Sequence, residues 1–287
     1  MAIYDKNGSP LSACYDKTGS ALTKAYNVNG EQIWTSAPTT IKVGTYNVGD
    51  WGWGSGLPPV ADKETYLALQ NTLFSEIDVD ICAMQEWSAS FCSDGTQSSV
   101  ITSQYFEYLQ GSGVWAIGSN IPFDDFNVMG YTTVGTSGDY ARYEKAHFTI
   151  GGKNVCLLNV HFDTAQATQE AQSAEILSVA EQEEYCIICG DFNTVIASLT
   201  DTDYLTCVKP FIDAGFTDAN CGDFGIFPTY YRTASPNPSD GYKPATDHII
   251  VSSNITILDA YVNTTKLTDD IEQKIDHVPL VAVLQIY

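Results

Sequence analysis

Basic residues are scarce in this sequence. Lys and Arg number 13 against 35 Asp and Glu, only Arg142 and Arg232 being arginines, and the formal charge is −22. Sequence-independent nucleic-acid binding draws its affinity from Lys and Arg neutralising phosphates. The balance excludes a tight, processive DNA binder and leaves room for a hydrolase that meets its phosphodiester briefly. Long apolar runs are also missing, since no segment reaches the ~20 residues that cross a bilayer as a helix. The start, Met1-Ala2-Ile3-Tyr4-Asp5-Lys6, lacks the basic start and the following apolar stretch of a secretory leader. The expectation is a cytoplasmic protein, or one carried on a virion or released particle.

A cysteine framework is absent as well. Of eight cysteines, Cys82, Cys156, Cys186 and Cys189 lie inside apolar runs that read as strands, where a thiol behaves as a small hydrophobe. Cys186-Ile187-Ile188-Cys189 has redox spacing, but residues three apart on a strand face opposite ways. Redox motifs of this kind open a helix instead. A reduced compartment is the simpler reading, with a Cys207–Cys221 bridge left open.

What is present is a folded composition: 44% hydrophobic and 17% charged residues over 287 positions, enough for one large α/β domain with a small appendage. Residues 1–38 carry an 11-residue repeat. Tyr4-Asp5-Lys6-Asn7-Gly8, Tyr15-Asp16-Lys17-Thr18-Gly19 and Tyr26-Asn27-Val28-Asn29-Gly30 each lead to an aliphatic residue. The pattern predicts short strands joined by Gly-containing turns. Units this small must stack on something, and two readings stand: an extension packed on the main domain, or an attachment or oligomerisation module. The repeat resembles short Tyr-Asp-x-x-Gly repeats at the front of some bacteriophage tail-associated and Gram-positive surface proteins. On the attachment reading its partner is a larger assembly, a phage particle or a cell surface. Ser36-Ala37-Pro38 begins the linker, and residues 39–287 form the main domain.

From Ile41 onward apolar strands alternate with helical stretches. Strands are expected at 41–47, 80–85, 114–119, 145–150, 155–161, 185–190, 248–252 and 278–286. Helices are expected at 61–77, 97–109, 165–181 and 205–214. The 165–181 helix should present Ala167, Ala171, Ala174, Ile176, Leu177 and Ala180 to the core. Strand-rich segments with a few covering helices fit two sheets flanked by helices.

Polar residues recur where these strands run out, the place at which a layered α/β protein presents a site. Asn47 ends the first strand and Glu86 follows Gln85 at the end of the second. His161 ends the run Val155–Val160, and Gly190-Asp191-Phe192-Asn193 follows the run Tyr185–Cys189. Asp247 opens one aliphatic run, and Asp276-His277 opens another. One such residue is ordinarily a cap or a turn former, but six events in order along one chain are not explained by capping.

The set Thr45-Tyr46-Asn47-Val48, Met84-Gln85-Glu86, Asn159-Val160-His161, Gly190-Asp191-Phe192-Asn193, Asp247-His248-Ile249 and Asp276-His277-Val278-Pro279-Leu280 resembles, in order, the motifs of the endonuclease/exonuclease/phosphatase superfamily. That group includes pancreatic-type deoxyribonucleases, abasic-site endonucleases, inositol-polyphosphate phosphatases and neutral sphingomyelinases. The resemblance implies a deoxyribonuclease I-like four-layer α/β/β/α sandwich and a divalent-metal-dependent phosphoesterase. Glu86 would ligate Mg²⁺ (or Mn²⁺), Asn47 would add an amide oxygen, and Asp276 would hold the ion through water. His277, oriented by Asp247, is the candidate general base, with Asp191 the alternative acceptor of the proton. Asp191 and Asn193, on one tight turn, would position the attacking water and a phosphoryl oxygen, and His161 would contact the phosphate. His147 reads as structural. A nuclease of modest affinity is the first expectation. A phosphomonoesterase or phospholipid phosphodiesterase is the alternative within the fold, and a structural protein with a silent domain is the alternative outside it. Asp50 stands one residue off the position where some relatives place a second carboxylate. The Trp51 and Trp53 loop and Arg232 are candidates for substrate contact or for local packing.

Overall fold

The computed structural model describes residues 38–48, 71–72, 74–75, 77–87, 104–133, 140–230, 244–262 and 277–287, with the backbone at 14–15, 21–22, 24–26 and 32–35. Twelve strands form two six-stranded mixed sheets. The first four are β1 (Thr39–Asn47), β2 (Ile81–Gln85), β3 (Tyr108–Ser112) and β4 (Trp115–Ser119). The next six make the second sheet: β5 (Asp125–Gly130), β6 (Arg142–Ile150), β7 (Lys153–His161), β8 (Cys186–Ile196), β9 (Thr217–Asp218) and β10 (Ala245–Val251). The chain then returns to the first sheet with β11 (Ile255–Val262) and β12 (Leu280–Ile286). The spatial orders are β11-β12-β1-β2-β4-β3 and β9-β10-β8-β7-β6-β5.

Each sheet holds one parallel pair at its centre, β1 with β2 and β7 with β8. Parallel neighbours need a crossover, usually a helix. Helix α1 (Gln166–Ala180) supplies it between β7 and β8, and residues 71, 72, 74, 75 and 77, between β1 and β2, are helical. A further helix, α2 (Lys209–Asp213), follows a π-helical turn at Tyr204–Val208.

Three cores account for the four layers. Between the sheets lie Val43, Ile81, Ala83 and Ile117 from one side and Phe148, Leu157, Ile187 and Ile249 from the other. Outside the first sheet, Tyr46, Cys82 and Met84 pack with Phe74 and Ile77 of the helical segment. Outside the second, Cys156, Leu158, Val160 and Ile188 pack with Ile176 and Ala180 of α1 and Phe211 of α2. Odd and even positions of β7 thus serve different cores, so the strand is buried on both faces and reads as a continuous apolar run. Cys186 belongs to the outer core and Cys189 to the inner one, as the strand period requires.

The expected strands are present with shifted ends. The expected helix at 97–109 is contradicted at its end, because 108–112 is the edge strand β3. The buried stripe of α1 also differs from expectation: it is Gln169, Gln172, Ser173, Ile176 and Ala180, while Ala167 and Ala174 are exposed. Those polar groups are buried because each is bonded. Gln172 accepts from the Asp163 N–H (2.8 Å) and donates to the Tyr140 carbonyl (2.7 Å), and the Ser173 hydroxyl donates to the Cys207 carbonyl (2.7 Å). Cys207 and Cys221 are both free thiols, so no bridge joins them. In the N-terminal segment, Cys14–Tyr15 pairs with Ala21–Leu22 and Lys24–Tyr26 with Gln32–Thr35, both antiparallel.

Candidate active site

The inward face of each central strand changes character over its last positions. On β1 the inward residues run Ile41, Val43, Thr45, Asn47, and on β2 Ile81, Ala83, Gln85. On β7 they run Val155, Leu157, Asn159, His161, and on β8 Ile187, Cys189, Asp191. On β10, which is antiparallel, they run Val251, Ile249, Asp247. A strand exposes one face at every second residue, so the middle layer is aliphatic at one end and ionisable at the other. Register completes the picture. His161 lies opposite Asp191 on β8, and Asp191 lies opposite Asp247 on β10. Three polar side chains therefore stand in one row, roughly 5 Å apart strand to strand.

Glu86 follows Gln85 and by alternation would face outward. Its backbone is left-handed instead, with φ +52°, which is costly for a residue with a side chain. The twist brings the carboxylate back to the row: Glu86 Oε1 accepts from Asn47 Nδ2 at 3.2 Å and lies 4.0 Å from His161 Nε2. Asn47 Nδ2 also donates to Asp191 Oδ2 at 2.9 Å. Both His161 Nε2 and His277 Nε2 approach that same Asp191 oxygen, at 3.5 and 3.6 Å.

His277 reaches the site just before β12, where it bridges to Tyr230 and the Val278 N–H donates to the Thr229 carbonyl (2.9 Å). Its Nδ1 is 2.9 Å from Asp247 Oδ2. The Thr246 hydroxyl donates to that same oxygen at 2.8 Å, and the Asp247 N–H donates to Thr229 Oγ1 at 3.0 Å. Burial raises the Asp247 carboxyl, but the His277 charge and hydrogen bonds from His277, Thr229 and Thr246 outweigh it and hold the pKa below 3.8. An ionised carboxylate only accepts, so His277 Nδ1 donates to Asp247 and Nε2 is the nitrogen on the Asp191 side. For Asp191 the outcome reverses: burial pushes its carboxyl above 3.8 and Asp247 adds to the rise, against the pull of His277, His161 and Asn47.

Asn193 sits in a bulge rather than on a separate turn. Strand β8 continues through it, its pairing with β10 slipping between Asp191 and Ile196, and Asn193 has φ +51°. A bulge re-aims side chains without ending the sheet. The Asn193 N–H caps Asp191 Oδ1 (2.7 Å), its amide nitrogen donates to the Phe162 carbonyl (2.6 Å), and Gln169 donates to its carbonyl (2.6 Å). At Gly190 a side chain is excluded, because a Cβ would collide with the Val160 carbonyl on the neighbouring parallel strand.

Asn47, Glu86, His161, Asp191, Asp247 and His277 thus meet at one rim of the sandwich, and Asn193 is bonded to Asp191. Asp276 lies outside the described residues, as do Asp50, Trp51, Trp53 and Arg232. His147 is remote from the rim and pairs with Asp125 (2.8 Å) and Glu183 (3.6 Å). Sequence reasoning gave no role to Gln85, Asn159, Glu144, Gln169 or Thr246, nor to Tyr140, whose ring meets His161 edge-on at 4.8 Å; Thr229 and Tyr230 belong to a stretch read only as shaping substrate choice, and the Tyr230 ring meets His277 edge-on at 5.0 Å. For Gln85 and Asn159 the signal was there: each continues an inward every-second-residue series.

The donor set fits a hard cation. Asp191, Asp247 and His277 offer ligand atoms within 4.8 Å of one another. Carboxylates from opposite sheets, Glu86 and Asp191, converge on one neutral amide nitrogen. Their mutual repulsion is what a divalent ion with oxygen ligands relieves. Rotating the Asn47 amide by a half-turn would present its oxygen to such an ion.

The sequence pattern of the Endonuclease/Exonuclease/phosphatase family matches residues 25–269. No curated protein is recognisably similar by sequence. Solved structures share the fold. An endonuclease/exonuclease/phosphatase family protein from Leptotrichia buccalis C-1013-b has 16% identity and a TM-score of 0.62, with 85% of this chain and 99% of that one covered. The endonuclease/exonuclease/phosphatase from Bacteroides vulgatus has 17% identity and a TM-score of 0.61, covering 87% and 100%. Truncated Caenorhabditis elegans TDP2 has 15% identity and a TM-score of 0.60, covering 85% and 97%. These likenesses, with the layers described above, give the deoxyribonuclease I-like sandwich.

Proposed function

The chain belongs to the endonuclease/exonuclease/phosphatase family, and from that premise we propose that it is a divalent-metal-dependent phosphodiesterase, a nuclease of modest affinity. The observation that carries the reading is the convergence of Asn47 and Glu86 from one sheet with His161 and Asp191 from the other, beside the Asp247–His277 pair.

Glu86, Asn47 and Asp276 would hold Mg²⁺ or Mn²⁺, with Asp191 at its margin. When bound, the ion neutralises phosphoryl charge and lowers the cost of an anionic transition state. The protein supplies the rest. Asp247 keeps the proton on His277 Nδ1 and so leaves Nε2 to take a proton from the attacking water, and it supports the imidazolium that forms. Asp191, fixed by the Asn193 N–H and the Asn47 amide, orients that water. His161 sits on the other side of Asp191 and is placed to contact the phosphate.

The charge of −22 supports brief, metal-mediated encounters with nucleic acid rather than wrapping. Residues 1–38 are assigned as an attachment or oligomerisation segment, in keeping with a phage-associated or particle-borne enzyme.

The test is cleavage of DNA and of bis-p-nitrophenyl phosphate with Mg²⁺ or Mn²⁺, abolished by EDTA. Asp191→Asn and His277→Ala should each lower kcat by at least about 100-fold. Activity within twofold of wild type in both variants would end the mechanism. Profiling DNA, RNA, inositol phosphates and sphingomyelin separates the nuclease from a phosphomonoesterase or phospholipid phosphodiesterase.

A further inference from the structure

Directly beneath the catalytic row lies a second polar layer that the mechanism does not use. Asn159, one inward step below His161, has an amide nitrogen within hydrogen-bond reach of three acceptors: Glu144 Oε2 (2.9 Å), the Met84 carbonyl (3.1 Å) and the Ala116 carbonyl (3.2 Å). Its oxygen accepts from Gln85 Nε2 at 2.7 Å, and Gln85 also donates to Thr45 Oγ1 at 3.2 Å. Glu144, the inward residue after Ala146 on β6, accepts from the Ser112 N–H at 3.1 Å. Thr45, Gln85, Glu144 and Asn159 are all fully buried. Asn159 and Glu144 belong to the second sheet, whereas Thr45, Gln85, Met84, Ala116 and Ser112 belong to the first.

The hydrophobic effect below this layer is non-directional, and burial free energy alone tolerates a small displacement that keeps the same area covered. Hydrogen bonds between buried partners do not, because each displaced donor is left without water to replace its partner. The layer also sits one residue from Glu86 on β2 and two from His161 on β7.

We propose that Gln85, Asn159 and Glu144 act as a clamp between the sheets, positioning Glu86 and Asn47 against His161 and Asp191. The clamp rests on the function given above, and its residues are positioning residues that touch no reacting atom.

Stability and positioning can be separated. Asn159→Leu alone strands Gln85 and Glu144 and should lower both the melting temperature and kcat. The triple variant Q85M/E144M/N159L replaces each member by an apolar group of similar size, which can be nearly neutral for stability. It still removes the acceptor of the Ser112 N–H, so it should melt cooperatively, somewhat below wild type and above Asn159→Leu. Its kcat on bis-p-nitrophenyl phosphate should nevertheless fall about 30-fold, a magnitude that sub-ångström misplacement produces. KM should stay within threefold and the Mg²⁺ activation midpoint should rise. If the triple variant does not fold, Gln85→Met, which deletes the bonds to Asn159 and Thr45 and leaves the Asn159–Glu144 contact in place, decides by the same criteria. A well-folded variant with wild-type kcat and metal midpoint would overturn the clamp and leave the function standing. A wild-type protein without metal-stimulated turnover would instead overturn the function.

Discussion

Glu144 makes the stability of this protein depend on pH in a direction opposite to that of most surface carboxylates. Burial pushes its carboxyl up from 4.5 to about 8, against the lowering effect of hydrogen bonds from Asn159 and Ser112. In the unfolded chain the same group ionises near its ordinary value. Between pH 4.5 and 8 the folded protein therefore holds a proton that the unfolded chain has released, and stability falls as pH rises through that window. Above the folded pKa both states are ionised and the loss is complete. At ~1.4 kcal/mol per pH unit, the full window corresponds to roughly 5 kcal/mol as an upper figure. Glu144→Gln has no proton to lose. It keeps an acceptor for Asn159 but turns an amide towards the Ser112 N–H, which costs about 1 kcal/mol. The variant should be slightly weaker than wild type at pH 5 and stronger by about 3–4 kcal/mol at pH 8.5, with the curves crossing near pH ~5–6. Urea midpoints measured from pH 5 to 9 read this directly, because every other titrating group is common to both proteins and cancels in the difference. Parallel curves across that range would refute the buried, proton-holding Glu144.

Other consequences are as direct. Gly190→Ala places a Cβ against the Val160 carbonyl and should cost about 2–4 kcal/mol by thermal melt, with turnover falling further because Asp191 is the next residue. Gln172→Leu removes the bonds to the Asp163 N–H and the Tyr140 carbonyl and should destabilise by roughly 2–4 kcal/mol. A loss below 0.5 kcal/mol would show that water replaces both bonds. Deleting residues 1–38 should leave kcat unchanged while abolishing multimer formation or particle association, so an unaltered sedimentation profile would count against the attachment role.

The strands were legible where burial is on both faces. Runs such as Val155–Leu158 and Tyr185–Cys189 announce themselves because no charged or amide side chain interrupts them. Edge strands did not: β5 exposes most of its residues and β11 three of its eight, so neither shows the alternation that marks a buried face. The candidate site was legible because its residues end or open apolar runs in sequence order. What supports it was not. The inward series of β2 and β7 reaches Gln85 and Asn159, but Gln169, Gln172 and Glu144 are polar residues whose burial depends on partners 9 to 32 positions away, and sequence spacing carries no record of such pairings. The buried face of α1 was misread for the same reason, its alanines giving way to bonded glutamines.

The division of the rim between the sheets has a kinetic corollary. Asn47, Glu86 and His277 arrive on the strands of one sheet, and His161, Asp191 and Asp247 on those of the other. A refolding intermediate with each half formed but the halves not yet docked would show native-like far-UV dichroism and hydrolyse nothing. The first appearance of turnover therefore dates the closing of the sandwich, making the enzyme its own reporter for that step.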